Sequence, residues 1–450
     1  MFRKILIANR GEIAVRIIRT CKEMGIKTVA IYSEVDEDSI HVHMADEAIC
    51  IGPAPSNKSY LNIDSIISAA LVTHADAIHP GYGFLSEDKD LVEACIKNNI
   101  KFIGPDKRHL ELMGDKAKAR KTMIDAGIPV VPGSKEATND ASKAFQMAKE
   151  IGFPIMIKAS NGGGGRGMRI VHSEDEFIAK FNMAKSESMA AFNDDMMYLE
   201  KFIESPRHIE FQILADSYGN IIHLGERDCS LQRRNQKVLE EAPCSIINED
   251  LRKEMGEVAL RAAKAVNYIS AGTIEFLLDK DNNFYFIEVN TRIQVEHPVT
   301  ELITGLDIIK EQIRIAYGEK LGFEQDDIRI NGHSIECRIN AEDPEKNFMP
   351  SPGKIEKYFA PGGYGIRVDS HIYEDYTIPP NYDSMIGKVI VWGANRMEAI
   401  NRMKRALDEL VIIGIKTNVE FQKEILNKEE FIQNKIDTSF IEKVLSRNDK

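Results

Sequence analysis

The chain has no stretch long and apolar enough to span a bilayer, and the apolar run in the opening MFRKILIANRGE is too short for a signal peptide. A membrane or secreted protein is therefore not expected, and the expected location is cytoplasmic. Cysteine is sparse: Cys21, Cys50, Cys95, Cys229, Cys244 and Cys337 show no CxxC spacing and no histidine cluster beside them. That argues against a zinc ribbon or a disulfide framework and leaves buried free thiols. Positive charge is in deficit, with 58 Lys+Arg against 70 Asp+Glu and a net charge of -12. Such a balance excludes general electrostatic attraction to nucleic acid or an anionic membrane, so a phosphate ligand has to be held by local cations or a metal. Repeats and low-complexity segments are missing too, and with them any sign of a disordered arm.

What is present is an ordinary globular composition, 43% hydrophobic and 28% charged, over 450 residues. That length supports about two or three packed units. KILIA reads as a strand, Glu12 to Met24 carries Ile13, Ile17, Cys21 and Met24 at helical spacing, and KTVAIYS reads as a second strand. This βαβ unit implies a parallel sheet, continued through ADAIHPG and IKFIGP and closing a first domain, 1–113. Its turn, ANRGE, has one glycine rather than three, so the dinucleotide fingerprint fails and Glu34 is no ribose ligand. HPGYGFLSE, His79 to Glu87, is a structural turn or a loop facing a ligand; composition alone does not choose. The same holds for Lys116 in the basic helix DKAKARKTMIDAG, a solvated face or a ligand position.

Between about 130 and 203 the pattern is strand, loop, strand, helix, strand, a small inserted α+β unit. Its loop is the glycine run of IKASNGGGGRGMRIV. Gly162, Gly164 and Gly167 satisfy G-x-G-x-x-G, but a strand follows instead of a helix, and no Gly-Lys-Ser/Thr is present. The run is thus a hairpin, either merely flexible or a lid that presents backbone amides to phosphates beside Lys158. RHIEFQILAD and IIHLGERD then pair around SYGN, and strands restart from Asn331 to give a last region, 331–450.

The strongest signal is AGTIEFLLDKDNNFYFIEVNTRIQVEHP. A turn centred on Asp281 and Asn282 sets Glu275 opposite Glu288, with Asn290 on the same face. Opposed carboxylates need a shared proton or a cation unless they form a solvated acidic face; with an amide oxygen they suit Mg2+. Beyond them Arg292, Gln294 and Glu296 alternate onto a common face if the chain stays extended, and LQRRNQKVLEEAP adds Arg233, Arg234 and Lys237. A lysine, a glycine hairpin, a second basic strand and an acidic hairpin describe phosphoryl transfer to an oxyanion.

From KILIANRGEIAVRIIR through HPGYGFLSE, IKASNGGGGRGMRIV, IEVNTRIQVEHPVTE and ECRINAEDP to YDSMIGKVIV, the sequence resembles the biotin carboxylase family of ATP-grasp enzymes. The resemblance implies an α/β and α+β fold: a Rossmann-like domain at 1–113, an ATP-grasp region at 114–330 with its lid at about 130–203, and a biotin carboxylase C-terminal domain at 331–450. It implies that ATP phosphorylates bicarbonate to carboxyphosphate, and that biotin on a carrier protein is then carboxylated, as in the first half-reaction of acetyl-CoA carboxylase. Carried over, Lys116, Lys158, Gly164 and Gly165 contact ATP phosphates, Glu200, Lys201 and Ile203 hold adenine, and His208 and Gln232 line the ribose. Glu275, Glu288 and Asn290 hold Mg2+ or Mn2+. Lys237, Arg292, Gln294 and Val295 surround bicarbonate, Glu296 is the base, Arg338 stabilises the enolate of biotin, and Tyr82 faces the biotin pocket. One departure stands near the nucleotide, where Asn235 in RRNQK replaces the histidine of many relatives; an amide donates a hydrogen bond but does not titrate near neutral pH.

The resemblance also implies a homodimer that works with carboxyltransferase subunits. No AMKM-type biotinylation motif occurs, so the carrier is expected on another protein. The acceptor differs if the chain serves a pyruvate or another acyl-CoA carboxylase. Two rivals are a carbamoyl-phosphate-type ligase, whose phosphorylated intermediate meets an amine, and a non-catalytic ATP-binding module, which has no use for Arg292 and Glu296 beside a metal pair. If the glycine run is a lid, Gly164→Val raises the KM for ATP substantially in steady-state assays without unfolding the protein; an unchanged KM marks an ordinary turn.

Overall fold

The structure is a computed structural model and describes all residues except 135, 161–166 and 449–450; the side chains at 116, 117, 447 and 448 are also outside the description. The first region forms a five-stranded parallel sheet from β1 (Lys4–Ile7), β2 (Lys27–Tyr32), β3 (Glu47–Cys50), β4 (Ala77–His79) and β5 (Lys101–Phe102), in the order β3-β2-β1-β4-β5. Ile5, Leu6 and Ile7 have no exposed surface, as expected of a parallel strand covered on both faces. The helix Gly11–Glu23 follows β1 directly and buries Ile13 and Ile17 in a core shared with Ile309 and Ile313 of the helix Ile308–Tyr317.

The inserted unit is a three-stranded antiparallel sheet, β7-β6-β8, made of β6 (Ile155–Ala159), β7 (Arg169–Val171) and β8 (Met197–Lys201). β6 and β7 pair as the hairpin expected around the glycine run, with Ile157 opposite Arg169. Alternation along β6 buries Ile155, Ile157 and Ala159 and turns Lys158 to the other side. A helix that the pattern reading omitted, Ala141–Ile151, precedes β6; Asp140 caps it by accepting from the Ser142 and Lys143 amides. It packs with the helix Glu174–Phe192 over a separate small core built on Phe177 and Phe181.

The largest sheet has eight strands. β9 (Arg207–Ala215), β10 (Ile221–Arg233), β11 (Gln236–Ala242), β12 (Ser270–Leu278), β13 (Phe284–Asn290) and β14 (His333–Asn340) run in the order β13-β12-β9-β10-β11-β14. The strands Met385–Gly393 and Ile366–Ser370 then extend the same sheet beyond β14. Strands on both sides of residue 330 therefore share one sheet, which is how Lys237 and Arg338 reach one place. Among the described residues, no helix is long and apolar enough to cross a membrane.

Candidate active site

Neighbouring strands place one charged row across the large sheet. Arg227 of β10 stands opposite Glu210 of β9, Glu210 opposite Glu275 of β12, and Glu275 opposite Glu288 of β13. Directly opposed residues share a face, so three carboxylates lie side by side. The Glu275–Glu288 register agrees with the sequence reading but arises differently. Leu278 opposite Phe284 centres the turn on Asp281 rather than on Asp281 and Asn282, and a register irregularity between Phe276 and Glu275 brings Glu288 back into line.

Such a row needs cations, and Lys237 of β11 supplies the central one. Its Nζ donates to Glu210 Oε2 at 2.6 Å, to Glu296 Oε1 at 2.6 Å and to Glu275 Oε1 at 3.2 Å. Arg227, with no exposed surface, donates to Glu210 Oε1 at 2.5 Å, to Gln212 Oε1 at 2.8 Å and to Thr300 Oγ1 at 2.9 Å. His208 Nε2 lies 2.9 Å from Glu275 Oε2, and Asn290 Nδ2 donates to Glu275 Oε1 at 2.8 Å. Glu275 and Glu288 face each other, and Asn290, opposite Thr273 two positions along β13, adds an amide oxygen on the same side; an all-oxygen donor set of this kind fits Mg2+ or Mn2+.

Residues 291–296 do not form the extended run that alternation requires; the chain bends into the helix His297–Thr304. Arg292, Gln294 and Glu296 still converge. Arg292 Nη1 donates to Gln294 Oε1 at 2.9 Å and Nη2 to Asn290 Oδ1 at 3.2 Å, while Gln294 Nε2 reaches Glu275 Oε1 at 3.4 Å. Glu296 sits at the N-cap of that helix, where the helix dipole favours negative charge. Its second oxygen accepts from Arg338 Nη2 at 2.8 Å, and Arg338 Nε donates to Glu240 Oε1 at 2.6 Å. Val295 turns its carbonyl away from this cluster to Lys388 Nζ, at 2.7 Å.

Charge states follow from these contacts. Burial opposes ionisation of Glu296, but Lys237, with Arg338 and Arg227, outweighs it and holds the carboxyl below its usual range. Glu275 is lowered against burial in the same way, by Lys237 and then His208. Burial works against the Lys237 charge, and Cys229, then Glu210, Glu275 and Glu296, raise it well above the ordinary lysine value. Glu240 is pushed up to about 7, by burial first and by Glu296 next, against the pull of Arg338.

On β6 and β8, Lys158 is ion-paired with Glu200, and Lys201 Nζ donates to the carbonyls of Gly152 and Phe153 at 3.0 and 2.9 Å. Ile203 follows β8, half-buried. Gln232 Nε2 meets His208 Nδ1 at 2.7 Å, which joins the two ribose candidates to the Glu275 row. Asn235 stands apart. With Arg234 it forms the exposed two-residue turn between β10 and β11, at φ of 63° and 51°, a left-handed backbone that asparagine tolerates well. Gly164, Gly165 and the Lys116 side chain lie outside the described residues. The Tyr82 hydroxyl donates to Glu12.

Sequence reading missed four members of this site. Glu210 was legible in principle, since His208, Glu210 and Gln212 repeat every second residue along β9. Arg227 and Glu240 sit on strands whose register the sequence does not reveal. Glu87 lies in HPGYGFLSE and accepts from Arg292 Nε at 2.9 Å and from the Thr291 amide at 3.0 Å, contacts between distant parts of the chain.

With this geometry in view, three family models tile the chain: the biotin carboxylase N-terminal domain over residues 1–110, the carbamoyl-phosphate synthase L chain ATP-binding domain over 115–324, and the biotin carboxylase C-terminal domain over 336–443. A biotin carboxylase of Nostoc sp. is 59% identical over 443 residues, spanning 98% of this chain and 99% of its own. The chain belongs to the biotin carboxylase family. A biotin carboxylase structure from Campylobacter jejuni, described as a complex with β,γ-ATP, is similar with a TM-score of 0.95 and 54% identity, covering 98% of this chain and 99% of that one. The biotin carboxylase domain dimer of a Hydrogenobacter thermophilus 2-oxoglutarate carboxylase, with MgADP, ADP and bicarbonate, matches at a TM-score of 0.93 and 52% identity, over 98% of each chain. The fold is accordingly the ATP-grasp architecture of biotin carboxylases, which are ATP-dependent ligases.

The Lys237 hub has a pH signature. Glu275 and Glu296 have folded values below their unfolded ones, so the stability they contribute is present above about pH 4.3 and is lost as pH falls through the depressed values. Lys237→Met leaves those carboxylates buried without their common cation and is expected to cost about 3–5 kcal/mol at pH 7. In urea unfolding the deficit should narrow below about pH 4; a deficit independent of pH would show that Lys237 matters only as packing.

Proposed function

We propose that this chain carboxylates biotin on a separate carrier protein, using ATP and bicarbonate, in the first half-reaction of an acetyl-CoA carboxylase. The observation that carries the reading is Glu296, gripped by Lys237 on one oxygen and by Arg338 on the other beside the row Glu210, Glu275 and Glu288. A base, an anion-binding cation and a guanidinium for a developing enolate thus meet at one carboxylate.

Arg292, aligned by Glu87, and Lys237 bind the bicarbonate anion, with Gln294 and the Val295 backbone completing its surroundings. Glu296, held ionised, accepts the bicarbonate hydroxyl proton as its oxygen attacks the terminal phosphorus of ATP. Carboxyphosphate breaks down to carbon dioxide and phosphate, and the ureido nitrogen of biotin attacks carbon dioxide while Arg338 stabilises the enolate oxygen. Glu275, Glu288 and Asn290 would hold Mg2+ or Mn2+, which supplies charge neutralisation at the transferring phosphoryl group. Lys158 with Lys116, Gly164 and Gly165 serve the phosphates, Glu200, Lys201 and Ile203 the adenine, and His208, Gln232 and Asn235 the ribose side. Tyr82 borders the biotin. The proton of the ureido nitrogen passes to the phosphate released from carboxyphosphate, and the network Lys237–Glu296–Arg338 sets phosphoryl transfer beside carboxyl transfer.

Acetyl-CoA as the final acceptor, fatty acid synthesis as the setting, a cytoplasmic location, and a homodimer working with carrier and carboxyltransferase subunits complete the proposal. The dimer draws support from the Hydrogenobacter thermophilus domain, described as one. That same relative belongs to a 2-oxoglutarate carboxylase, so the acceptor is assigned by assaying candidate carboxyltransferases with the purified chain.

ADP release with ATP, Mg2+, bicarbonate and free biotin tests the central claim. ADP release that requires bicarbonate and is stimulated by biotin is expected; dependence on ammonia instead would favour a carbamoyl-phosphate-type ligase. Arg338→Ala should lower biotin-dependent turnover by about 10²-fold or more while nucleotide affinity stays intact. Normal turnover in that variant would remove the biotin assignment.

A further inference from the structure

Lys388, on the strand Met385–Gly393, has no exposed surface, and no step above uses it. Burying an ammonium group is costly, and an aliphatic residue of similar volume would fill the space without that cost. Its contacts are specific. Nζ donates to the Val295 carbonyl at 2.7 Å and lies 3.3 Å from Glu12 Oε1. Two other carboxylates face it, yet neither takes its hydrogen bond: Asp369 is held by Arg367 at 2.6 Å, and both oxygens of Glu336 are buried with no hydrogen-bond partner among the described residues. Lys388 is thus shared between a backbone carbonyl and the single carboxylate of Glu12.

That carbonyl belongs to the residue between Gln294 and Glu296, so the peptide held by Lys388 fixes the side chains on both sides of it. Glu12, buried in the first turn of the helix Gly11–Glu23, accepts at the same Oε1 from the Tyr82 hydroxyl. An unbroken path runs from half-buried Tyr82 through buried Glu12 and Lys388 to half-buried Val295. Glu87, at the far end of the loop that carries Tyr82, holds Thr291 and Arg292. The loop His79–Glu87 therefore grips the segment 291–296 at both ends, once directly and once through Lys388.

We propose that Lys388 is a positioning residue for the bicarbonate segment and that Glu12 couples it to the Tyr82 loop on the biotin side. The inference rests on the biotin carboxylase reading above. It requires that a change at Tyr82 be felt in bicarbonate use even when biotin is absent.

The test is steady-state ADP release by the full chain and by the variants Lys388→Met, Lys388→Arg, Glu12→Gln and Tyr82→Phe, with bicarbonate and ATP varied separately. Lys388→Met and Glu12→Gln are expected to raise the KM for bicarbonate about tenfold while the KM for ATP moves less than about twofold, and Lys388→Arg should recover most of the loss. Tyr82→Phe should raise the bicarbonate KM in assays without biotin, and Glu12→Gln combined with Tyr82→Phe should be no worse than the more damaging single change. If Lys388→Met does not fold, Glu12→Gln, which keeps side-chain volume, decides. An unchanged bicarbonate KM in Glu12→Gln, or equal rises in the KM values for bicarbonate and ATP, would overturn the inference. Absence of bicarbonate dependence in the unmodified chain would instead overturn the function on which it rests.

Discussion

Burying Glu210, Glu275 and Glu296 together is tolerable because Lys237 touches all three, with Arg227 adding a second cation at Glu210 and Arg338 one at Glu296. Opposed carboxylates on neighbouring strands repel, and in a low-dielectric interior an unpaired one costs several kcal/mol, so the row would otherwise take up protons. With Lys237 in place the carboxylates stay ionised, and an ionised Glu296 is what a base for bicarbonate requires. The same contact fixes the fold locally. Lys237 comes from β11, Glu210 from β9, Glu275 from β12 and Glu296 from beyond β13, and their meeting point exists only if those strands lie in one sheet and in register.

The sheet explains why the site joins regions far apart in the chain. β14 enters next to β11 and carries Arg338 to the far side of Glu296, and the strand Met385–Gly393 follows with Lys388 opposite Arg338. Regular pairing thereby turns a separation of many tens of residues into a spacing of a few ångströms. The first domain contributes by packing rather than pairing: its helix Gly11–Glu23 shares a core with the helix Ile308–Tyr317, and Glu12 and the loop His79–Glu87 project to the site from that docked position.

How much of this was legible depended on range. The Glu275–Glu288 pairing needed only a local turn and period-two counting, and it held although the turn centre and the bulge each differed from the simple count. The convergence of Arg292, Gln294 and Glu296 was read from alternation, whereas the structure achieves it through a bend into a helix, guided by Glu87 and Lys388. Those guides were invisible in sequence because nothing local marks a contact between residues that far apart. The parallel first sheet was legible from the βαβ pattern, whereas the helix Ala141–Ile151 was passed over. Asn235 looked like a nucleotide contact by position in a motif; its backbone supplies a second reason for asparagine, the left-handed turn.

Charge balance around the site indicates what it is built to accept. Lys237, Arg227 and Arg338 are matched by Glu210, Glu275 and Glu296, and the further carboxyl Glu240 rises to about 7, while burial raises Glu336 well above the ordinary value against the pull of Lys388 and Arg338. Among the described residues, the core of the site is therefore close to neutral, its cations already paired. Lys158 and Arg292 are the cations toward the substrate side, and each is held by a carboxylate, Glu200 and Glu87. An incoming phosphate or bicarbonate must compete with those carboxylates for the cation, and a divalent ion on the Glu275 row adds the charge that the chain itself withholds. On the proposed reading, the paired state of Lys158 and Arg292 has one consequence: nucleotide and metal act together, since the protein already neutralises those two cations and leaves the added positive charge to a divalent ion.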